Sequence, residues 1–312
     1  MKTQAFSIEE PIPPRPAQAD VAPPLTNRSP GIAEKAFGQP RGFLGNRFVY
    51  AVISQRARGL SIGINLNPDK LCNFDCAYCE VNRDVPGHDR AVDLKVLALE
   101  LEALLTLTFE GKLRDLPYFH TVPAELLALK EVALSGDGEP TLCSNFQDVV
   151  GEVVHLRSRR KFPFFKIVLI TNTTGLDRSE VRQGLRHLTS DDEIWAKLDA
   201  GTQAYMDLVN RPKDITLKKV LHNILLIARE RPVIIQSLFP LIDGNEPPAE
   251  EIEECVHRLH ELRSEGAKIS LVQIYSAHRA PHRPNCAHLR LKSLSRIAQR
   301  VREATGLAAE VF

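Results

Sequence analysis

Short apolar runs alternate with amphipathic stretches along the chain, and this alternation is its clearest structural signal. Runs rich in Val, Ile and Leu predict buried β-strands, whereas apolar residues that recur every three or four positions predict helices. The predicted strands are residues 61–66, 131–135, 166–171, 193–199, 233–241 and 269–275. The predicted helices are residues 92–105, 146–159, 179–188, 217–229, 249–263 and 294–304. Strands that alternate with helices favour a parallel sheet with crossover helices, and hence an α/β fold.

The first forty residues break this pattern. Eight of the 21 prolines lie there, and the apolar residues show little helical or strand periodicity. Such a composition predicts an extended or poorly ordered segment. We therefore divide the chain into a Pro-rich N-terminal extension, residues 1–46, and a core domain, residues 47–312.

Three cysteines crowd into the loop that follows the first predicted strand. Cys72, Cys76 and Cys79 lie within eight residues of one another. Structural zinc sites usually have four ligands, and thiol redox motifs need only a single Cys-x-x-Cys. Three thiolates leave one position of an iron centre open, and an open position is where a small molecule binds and reacts. The alternative is a loop of free or zinc-bound thiols.

A glycine-rich turn ends the second predicted strand. The residues that follow this strand are Gly136, Asp137, Gly138, Glu139 and Pro140. A Gly-x-Gly turn is, by itself, usually only a turn. Because this one follows a three-cysteine loop in the chain, a binding role becomes the better interpretation.

The two elements together resemble the radical S-adenosylmethionine (SAM) superfamily. The superfamily signature is Cys-x3-Cys-x2-Cys with an aromatic residue before the last Cys, which here is Tyr78. A second element is a Gly-Gly-Glu-Pro-like turn, to which Gly138, Glu139 and Pro140 correspond directly. Gly136 and Asp137 lie next to this turn, but they do not match the motif position by position.

This resemblance implies a partial, open (β/α)6 barrel of the TIM type, with its site where the strands end. It implies that the three thiolates hold a 4Fe-4S cluster whose fourth iron binds SAM. An electron from a donor such as flavodoxin or ferredoxin then cleaves SAM to methionine and a 5'-deoxyadenosyl radical, which removes hydrogen from a substrate. The implied cofactor-binding residues are Tyr78, Gly136, Asp137, Gly138, Glu139, Pro140 and Asn172. Among them, Glu139 and the backbone of its turn hold the SAM ammonium group.

Polar residues at the ends of two further predicted strands are site candidates. Asn172 ends the strand 166–171, although an Asn near a glycine is often only part of a turn. Lys197 and Asp199 point to one side of the strand 193–199, where a structural salt bridge is the alternative to a role in the site. In related enzymes this strand end helps to hold SAM, so both residues are catalytic candidates.

Further segments resemble bacterial proteins of the wyosine synthase-like radical SAM family. The likeness covers residues 47–312 and includes residues 63–68, 210–212 and 273–281. Archaeal and eukaryotic wyosine enzymes build a tricyclic base on tRNA, and the archaeal enzyme holds a second cluster on cysteines ahead of its signature. No cysteine precedes Cys72 in this chain. The family therefore indicates the mechanism, while the substrate is unidentified and a wyosine-type tRNA reaction is kept only as an alternative.

We expect substrate contacts from residues 210–212 and 278–288, which follow elements that end near the catalytic face. Arg211 and Arg279 suit a carboxylate or phosphate, because a guanidinium donates two hydrogen bonds to either group. Arg279 is the catalytic candidate of the two. The alternative is that both arginines tie loops to the barrel. Cys286 is expected in a solvent-exposed loop.

Composition narrows the classes of function. Of the 312 residues, 43% are hydrophobic and 25% charged, as in ordinary globular α/β domains. The chain shows neither an apolar run long enough for a membrane span nor a secretory start, which predicts a cytoplasmic protein without a membrane partner. A net charge of +1 supplies no general attraction for nucleic acid, so RNA stays open as a partner without being indicated.

Two functions from different classes fit these observations. The first is a catalytic radical SAM enzyme, and the second is a noncatalytic iron-sulfur or zinc-binding module on the same fold. Only a protein that binds SAM needs a turn that holds an ammonium group. The presence of Gly138, Glu139 and Pro140 therefore favours the enzyme.

Overall fold

The computed structural model of the protein describes residues 42–277, 281–282 and 285–312. Within these residues, the strands are β1 (Val49–Ser54), β2 (Gly59–Asn65), β3 (Leu129–Ser135), β4 (Lys166–Thr171), β5 (Glu193–Lys197), β6 (Val233–Leu238), β7 (Pro240–Ile242), β8 (Ile269–Tyr275), β9 (Cys286–His288) and β10 (Ala309–Val311). The helices are α1 (Leu94–Phe109), α2 (Phe146–Ser158), α3 (Ser179–Leu185), α4 (Gln203–Val209), α5 (Leu217–Glu230), α6 (Ala249–Ser264) and α7 (Leu291–Thr305).

The main sheet has the strand order β1-β2-β3-β4-β5-β6-β8-β10. β1 runs antiparallel to β2, and the other neighbouring pairs are parallel. β7 and β9 form a separate antiparallel pair. No pairing joins β1 to β10 in the ranges that the structure describes, so this sheet is open. The α/β fold with a partial barrel that the sequence predicted is confirmed.

Two apolar clusters lie on opposite faces of the sheet, because successive residues of a strand point to opposite sides. Ile167 and Leu169 of β4 belong to the large cluster, which also takes in the apolar faces of the helices. Val168 of β4 belongs to a small inner cluster with Trp195 and Ile234. Part of the inner face of the sheet is therefore apolar, namely the part formed by these three residues of β4, β5 and β6.

The structure adds elements that the sequence pattern did not predict. β1 pairs with β2 through a turn in which Arg58 has a positive φ of 56°, and arginine is not a typical residue for such a position. The predicted strand 233–241 is wrong in its second half, since β6 ends at Leu238 and β7 pairs with β9. Cys286 is buried in β9 opposite Ile242, so the exposed loop predicted for it is also wrong.

Several predicted features fall outside the described residues. They are residues 1–41 of the extension, residues 278–280 with the candidate Arg279, and residues 283–284. Among the helices that are described, none combines the length and the apolarity that a membrane crossing needs.

Candidate functional site

The signature cysteines lie in the loop that leaves β2 at Asn65, and backbone hydrogen bonds fix this loop from two sides. On one side, Glu139 N donates to Leu71 O at 2.9 Å. On the other side, Ala77 N donates to Val209 O at 2.7 Å. The Cys loop, residues 71–80, is therefore held between the turn after β3 and the end of α4.

Residues 210–212, which the sequence suggested as a substrate contact, pack against the Cys loop. Asp75 N donates to Asn210 O at 3.1 Å, and Phe74 forms an isolated antiparallel bridge with Pro212. The segment follows α4, a helix that the sequence pattern did not predict. Residues 210–212 therefore help to hold the Cys loop in place. A substrate contact by Arg211 stays a prediction.

Each cysteine sulfur in the loop accepts a hydrogen bond from a nitrogen. Cys72 Sγ accepts from the backbone N–H two residues further on, at 3.4 Å. Cys76 Sγ accepts from Asn210 Nδ2 at 3.6 Å, and Cys79 Sγ accepts from Arg83 at 3.0 Å. Such donors stabilise thiolates and tune iron-sulfur clusters. Arg83 has no distinguishing signal in the sequence, because an arginine four positions after a cysteine is not part of the signature.

The buried thiols suit a metal centre. Burial raises the pKa of Cys72 to about 11, with a further contribution from the Glu139 carboxylate, and burial raises the pKa of Cys76 to about 12. A thiolate at such a position needs a nearby cation, which a bound metal would supply. In the described ranges, no three His, Cys, Asp or Glu side chains converge on a point that one ion would fill. A 4Fe-4S cluster spreads its protein ligands over different irons instead of gathering them at one ion, so the chemistry of this donor set fits a cluster.

Glu139 is buried, and its carboxylate connects the turn after β3 to the end of β4. Oε1 accepts hydrogen bonds from Thr141 N at 3.1 Å and from Thr171 Oγ1 at 2.5 Å, and Oε2 accepts from Asn172 N at 2.7 Å. Burial raises the pKa of this carboxyl, and the hydrogen bonds oppose that rise. The short 3-10 helix Pro140–Leu142 begins directly after Glu139. A contact between Glu139 and the SAM ammonium group stays a prediction.

Asn172 joins β4 to the Cys loop. Its side-chain amide donates to Asn73 Oδ1 at 2.9 Å and lies 4.0 Å from Cys72 Sγ. Its own Oδ1 accepts from Thr174 N at 3.1 Å. The side chain is thus more than a local turn residue, because its contacts with Asn73 and Cys72 reach a segment about one hundred residues earlier in the chain.

The glycine-rich turn leaves no room for a side chain at either of its two glycines. A Cβ atom on Gly138 would lie 2.0 Å from Leu71 O, and one on Gly136 would lie 2.1 Å from Asn65 Oδ1. Gly136 also has a φ of 136°, which side-chain-bearing residues rarely adopt. Asp137 N donates to the same Asn65 oxygen at 3.0 Å. Both glycines are therefore needed for the turn to approach the Cys loop and the end of β2.

Lys197 and Asp199 belong to a buried polar network beside Cys76. Tyr78 OH donates to Asp199 Oδ2 at 2.5 Å, and Asn210 Nδ2 donates to the same oxygen at 2.8 Å. Lys197 Nζ donates to Tyr275 OH at 2.8 Å and lies 3.4 Å from Asp199 Oδ1. Burial lowers the pKa of Lys197, but Asp199 and Tyr275 outweigh it and raise that pKa above its ordinary value. Lys197 and Asp199 thus form the salt bridge that was the alternative to a role in the site. This salt bridge lies next to the cysteines.

A cavity of about 480 Å³ adjoins the Cys loop on the inner face of the sheet. Tyr78 and Cys79 line it at the loop, and Glu131 of β3 lines it within the sheet. Glu131 is buried, and its Oε1 accepts from Ser61 Oγ at 3.1 Å. Neither of these two strand residues has a signal in the sequence, because each lies near the start of a strand and away from the motifs at the strand ends.

The buried Glu131 carboxyl predicts a pH-dependent stability. Burial raises its pKa from 4.5 to about 7, against the opposing charges of Lys166 and Arg56. Because the folded pKa is the higher one, the protonated carboxyl's contribution to stability is present below pH 4.5 and is lost as the pH rises through 7. We expect Glu131→Gln to match the wild type at low pH and to be more stable by up to about 3 kcal/mol near pH 8, as measured by urea unfolding.

The matched control for this change is Glu125→Gln, which alters an exposed carboxylate near the start of β3. Its effect on the free energy of unfolding should be small and nearly equal at both pH values. A Glu131→Gln effect that does not change with pH would contradict the raised pKa.

No known protein-family profile matches the chain. In sequence it is similar to a UPF0026 protein of Helicobacter pylori (strain J99), with 23% identity over 237 residues, which is 75% of this chain and 68% of that protein. It is also similar to a UPF0026 protein of Methanocaldococcus jannaschii, with 26% identity over 178 residues, or 56% of this chain and 48% of that protein. The first of these relatives is thus similar over three quarters of the chain, and the second over just more than half.

Solved structures share the fold at low sequence identity. Streptococcus suis SuiB bound to S-adenosylmethionine matches with a TM-score of 0.57 and 13% identity, over 83% of this chain and 52% of SuiB. TYW1 with a lysine-pyruvate adduct bound matches with a TM-score of 0.56 and 13% identity, over 83% of this chain and 85% of TYW1. The chain thus spans about half the length of SuiB and most of the length of that TYW1 chain.

Proposed function

The chain has the fold of the radical SAM enzymes, and from this premise we propose that it is itself a radical SAM enzyme. In this proposal Cys72, Cys76 and Cys79 hold a 4Fe-4S cluster, and the turn of residues 136–140 holds SAM beside it. The observation that carries the proposal is the hydrogen bond from Glu139 N to Leu71 O, 2.9 Å long. It brings together two motifs that are about sixty residues apart in the chain, as a shared cofactor site requires.

The chemistry itself comes from the bound groups. When bound and reduced by a donor such as flavodoxin or ferredoxin, the cluster and SAM supply methionine and a 5'-deoxyadenosyl radical that removes hydrogen from a substrate. The protein's own contribution is to place these groups and to shield them from water. Arg83, Asn210 and the backbone of the Cys loop donate to the three sulfurs and so favour their thiolate form.

The residues around the turn position SAM in this proposal. Gly136 and Gly138 allow its backbone to lie against β2 and the Cys loop, where a Cβ atom would collide. Glu139 ties the turn to Asn172, which in turn reaches the Cys loop. Glu139 and Asn172 therefore fix the positions of the turn, the end of β4 and the Cys loop relative to one another.

Lys197 and Asp199 act in this proposal as positioning residues. The Asp199 carboxylate holds Tyr78 and Asn210, and Asn210 donates to Cys76. The Lys197 ammonium compensates the buried charge of Asp199. The pair thereby fixes the side of the Cys loop that faces β5. A substrate contact by Arg279, outside the described residues, remains a further prediction.

Anaerobic reconstitution of the wild-type protein with iron and sulfide tests the proposal. We expect about four irons and four sulfides per chain, because a cubane on three thiolates has that composition. With dithionite and SAM, the protein should form methionine and 5'-deoxyadenosine, slowly, since no substrate completes the site. A noncatalytic iron-sulfur module would take up the cluster and leave SAM intact. Stoichiometric zinc without iron would overturn the proposal as a whole.

A further inference from the structure

Two polar side chains that line the cavity of about 480 Å³ have atoms without a partner. Glu131 is 1% exposed, and its Oε2 has no hydrogen-bond partner within the described ranges. Arg56 reaches the cavity from the turn between β1 and β2, and its buried Nε likewise lacks a partner there. A buried polar atom left unpaired costs about 1–3 kcal/mol, and native proteins hold few of them. Neither residue belongs to the motifs that indicate the cluster or SAM.

Two tyrosine hydroxyls along the cavity are already paired. Tyr275 OH accepts from Lys197, and Tyr50 OH shares a hydrogen bond of 3.1 Å with Ser135 Oγ. The atoms of the cavity walls that lack a hydrogen-bond partner thus include one carboxylate oxygen, Glu131 Oε2, and one guanidinium nitrogen, Arg56 Nε. These two groups thus place an unpaired acceptor and an unpaired cationic donor in the walls of the same cavity.

The Arg56 guanidinium is held at the cavity wall by an aromatic contact. Its central carbon lies 4.6 Å from the centre of the Tyr275 ring, which is within the distance of a cation–π interaction. Arg56 is also close enough to lower the pKa of Glu131 through its charge, so the two groups act on the same space.

We propose that this cavity binds the substrate, and that the substrate is a small organic acid with a hydroxyl or amino group. Arg56 donates to its carboxylate or phosphate, and Glu131 Oε2 accepts from its hydroxyl or amino group. The volume lies within the range of about 300–1,000 Å³ that small-molecule sites occupy. Cys79 lines the same cavity, so an occupant lies beside the Cys loop. The assignment as a substrate site rests on the proposed radical SAM function, whereas the binding of an acid does not.

Ligand-observed NMR on the full-length protein, with and without its reconstituted cluster, tests the binding directly. The probes are amino acids, α-hydroxy acids and sugar phosphates, each compared with its methyl ester or its dephosphorylated counterpart. We expect at least one acid to bind with a dissociation constant of about 1 mM or less, and its uncharged counterpart to bind about tenfold more weakly or worse. Saturating SAM should leave this binding within about twofold, because substrate and SAM are bound together during turnover.

Variants assign the binding to the two residues. Arg56→Met should weaken binding of the acid by about tenfold or more, Arg56→Lys should weaken it less, and Glu131→Gln by about threefold. Arg58→Met is the matched control from the same turn, since Arg58 pairs with Glu310 at 2.5 Å on the surface and does not line the cavity. Arg56→Lys keeps the charge and therefore serves as the test if Arg56→Met does not fold.

The outcomes separate this inference from the proposed function. Binding of no probe, equal binding of the ester, or binding unchanged in the folded Arg56 variant overturns the inference. Complete competition by SAM also overturns it, because the cavity would then be part of the SAM site. If an acid binds through Arg56 but no 5'-deoxyadenosine forms, the acid site stands and the radical SAM function fails. If 5'-deoxyadenosine forms but no acid binds, the inference fails alone.

Discussion

Replacement of Cys72, Cys76 or Cys79 by alanine will remove the iron-sulfur cluster and, with it, SAM cleavage. The three thiols are the predicted ligands, and each has its own nitrogen donor in the folded protein. A cubane that loses one of three protein thiolates exposes a second iron, and the cluster then dissociates or oxidises. We expect iron and sulfide per chain, and the rate of 5'-deoxyadenosine formation, to fall by about tenfold or more in each variant.

Cys255→Ala is the matched control for these variants. Cys255 is a buried thiol of α6 whose sulfur donates to Glu251 at 3.6 Å, away from the Cys loop. Its loss removes a small core side chain at a cost of about 1 kcal/mol, so iron content and SAM cleavage should stay near the wild-type values. Wild-type iron content in all three signature variants would show that these thiols are not the ligands. Loss of iron in Cys255→Ala as well would point to general misfolding.

Gly138→Ala will damage the site although it adds a single methyl group. The new Cβ would lie 2.0 Å from Leu71 O and 2.6 Å from Asn67 Cβ, and the nearer of these is a backbone atom that no rotamer change can move away. Either the turn or the Cys loop must shift, and the 2.9 Å hydrogen bond from Glu139 N to Leu71 O is then lost. A displacement of this size between two halves of a site costs about a hundredfold in rate. We expect that loss in 5'-deoxyadenosine formation, measured together with SAM affinity.

Gly151→Ala provides the control with the same chemical change. Gly151 lies within α2, and a Cβ added there has no atom within 4 Å apart from its chain neighbours and the backbone of its own helix. Alanine in the middle of a helix is favoured over glycine by about 0.5–1 kcal/mol, so this variant should be slightly more stable and fully active. Urea unfolding of Gly138→Ala is the companion measurement. Wild-type SAM affinity and activity in a folded Gly138→Ala protein would remove the turn from the site.

The hydrophobic pattern determined much of the fold. The predicted strands 166–171 and 269–275 match β4 and β8 at both ends, because largely buried parallel strands are rich in Val, Ile and Leu. β1 and α4 were not predicted. α4 is two turns long, so few of its positions repeat at helical spacing, and β1 is a short apolar run that lies outside the alternation of strands and helices because it pairs antiparallel with β2. The predicted strand 233–241 is divided because its last residues leave the pairing with β8 and pair with β9.

Only part of the candidate site could be predicted from the sequence. The three cysteines and the turn of residues 136–140 are local motifs, so the sequence carries the resemblance to the radical SAM superfamily that implies iron-sulfur and SAM chemistry. Arg83 and Asn210 at the sulfurs were decided only by the tertiary structure, and so were the unpaired groups of Arg56 and Glu131. Which of these side chains meet depends on sheet register and on the path of the Cys loop between β3 and α4. Both are set by contacts between segments far apart in the chain, and a pattern read along the sequence does not contain them.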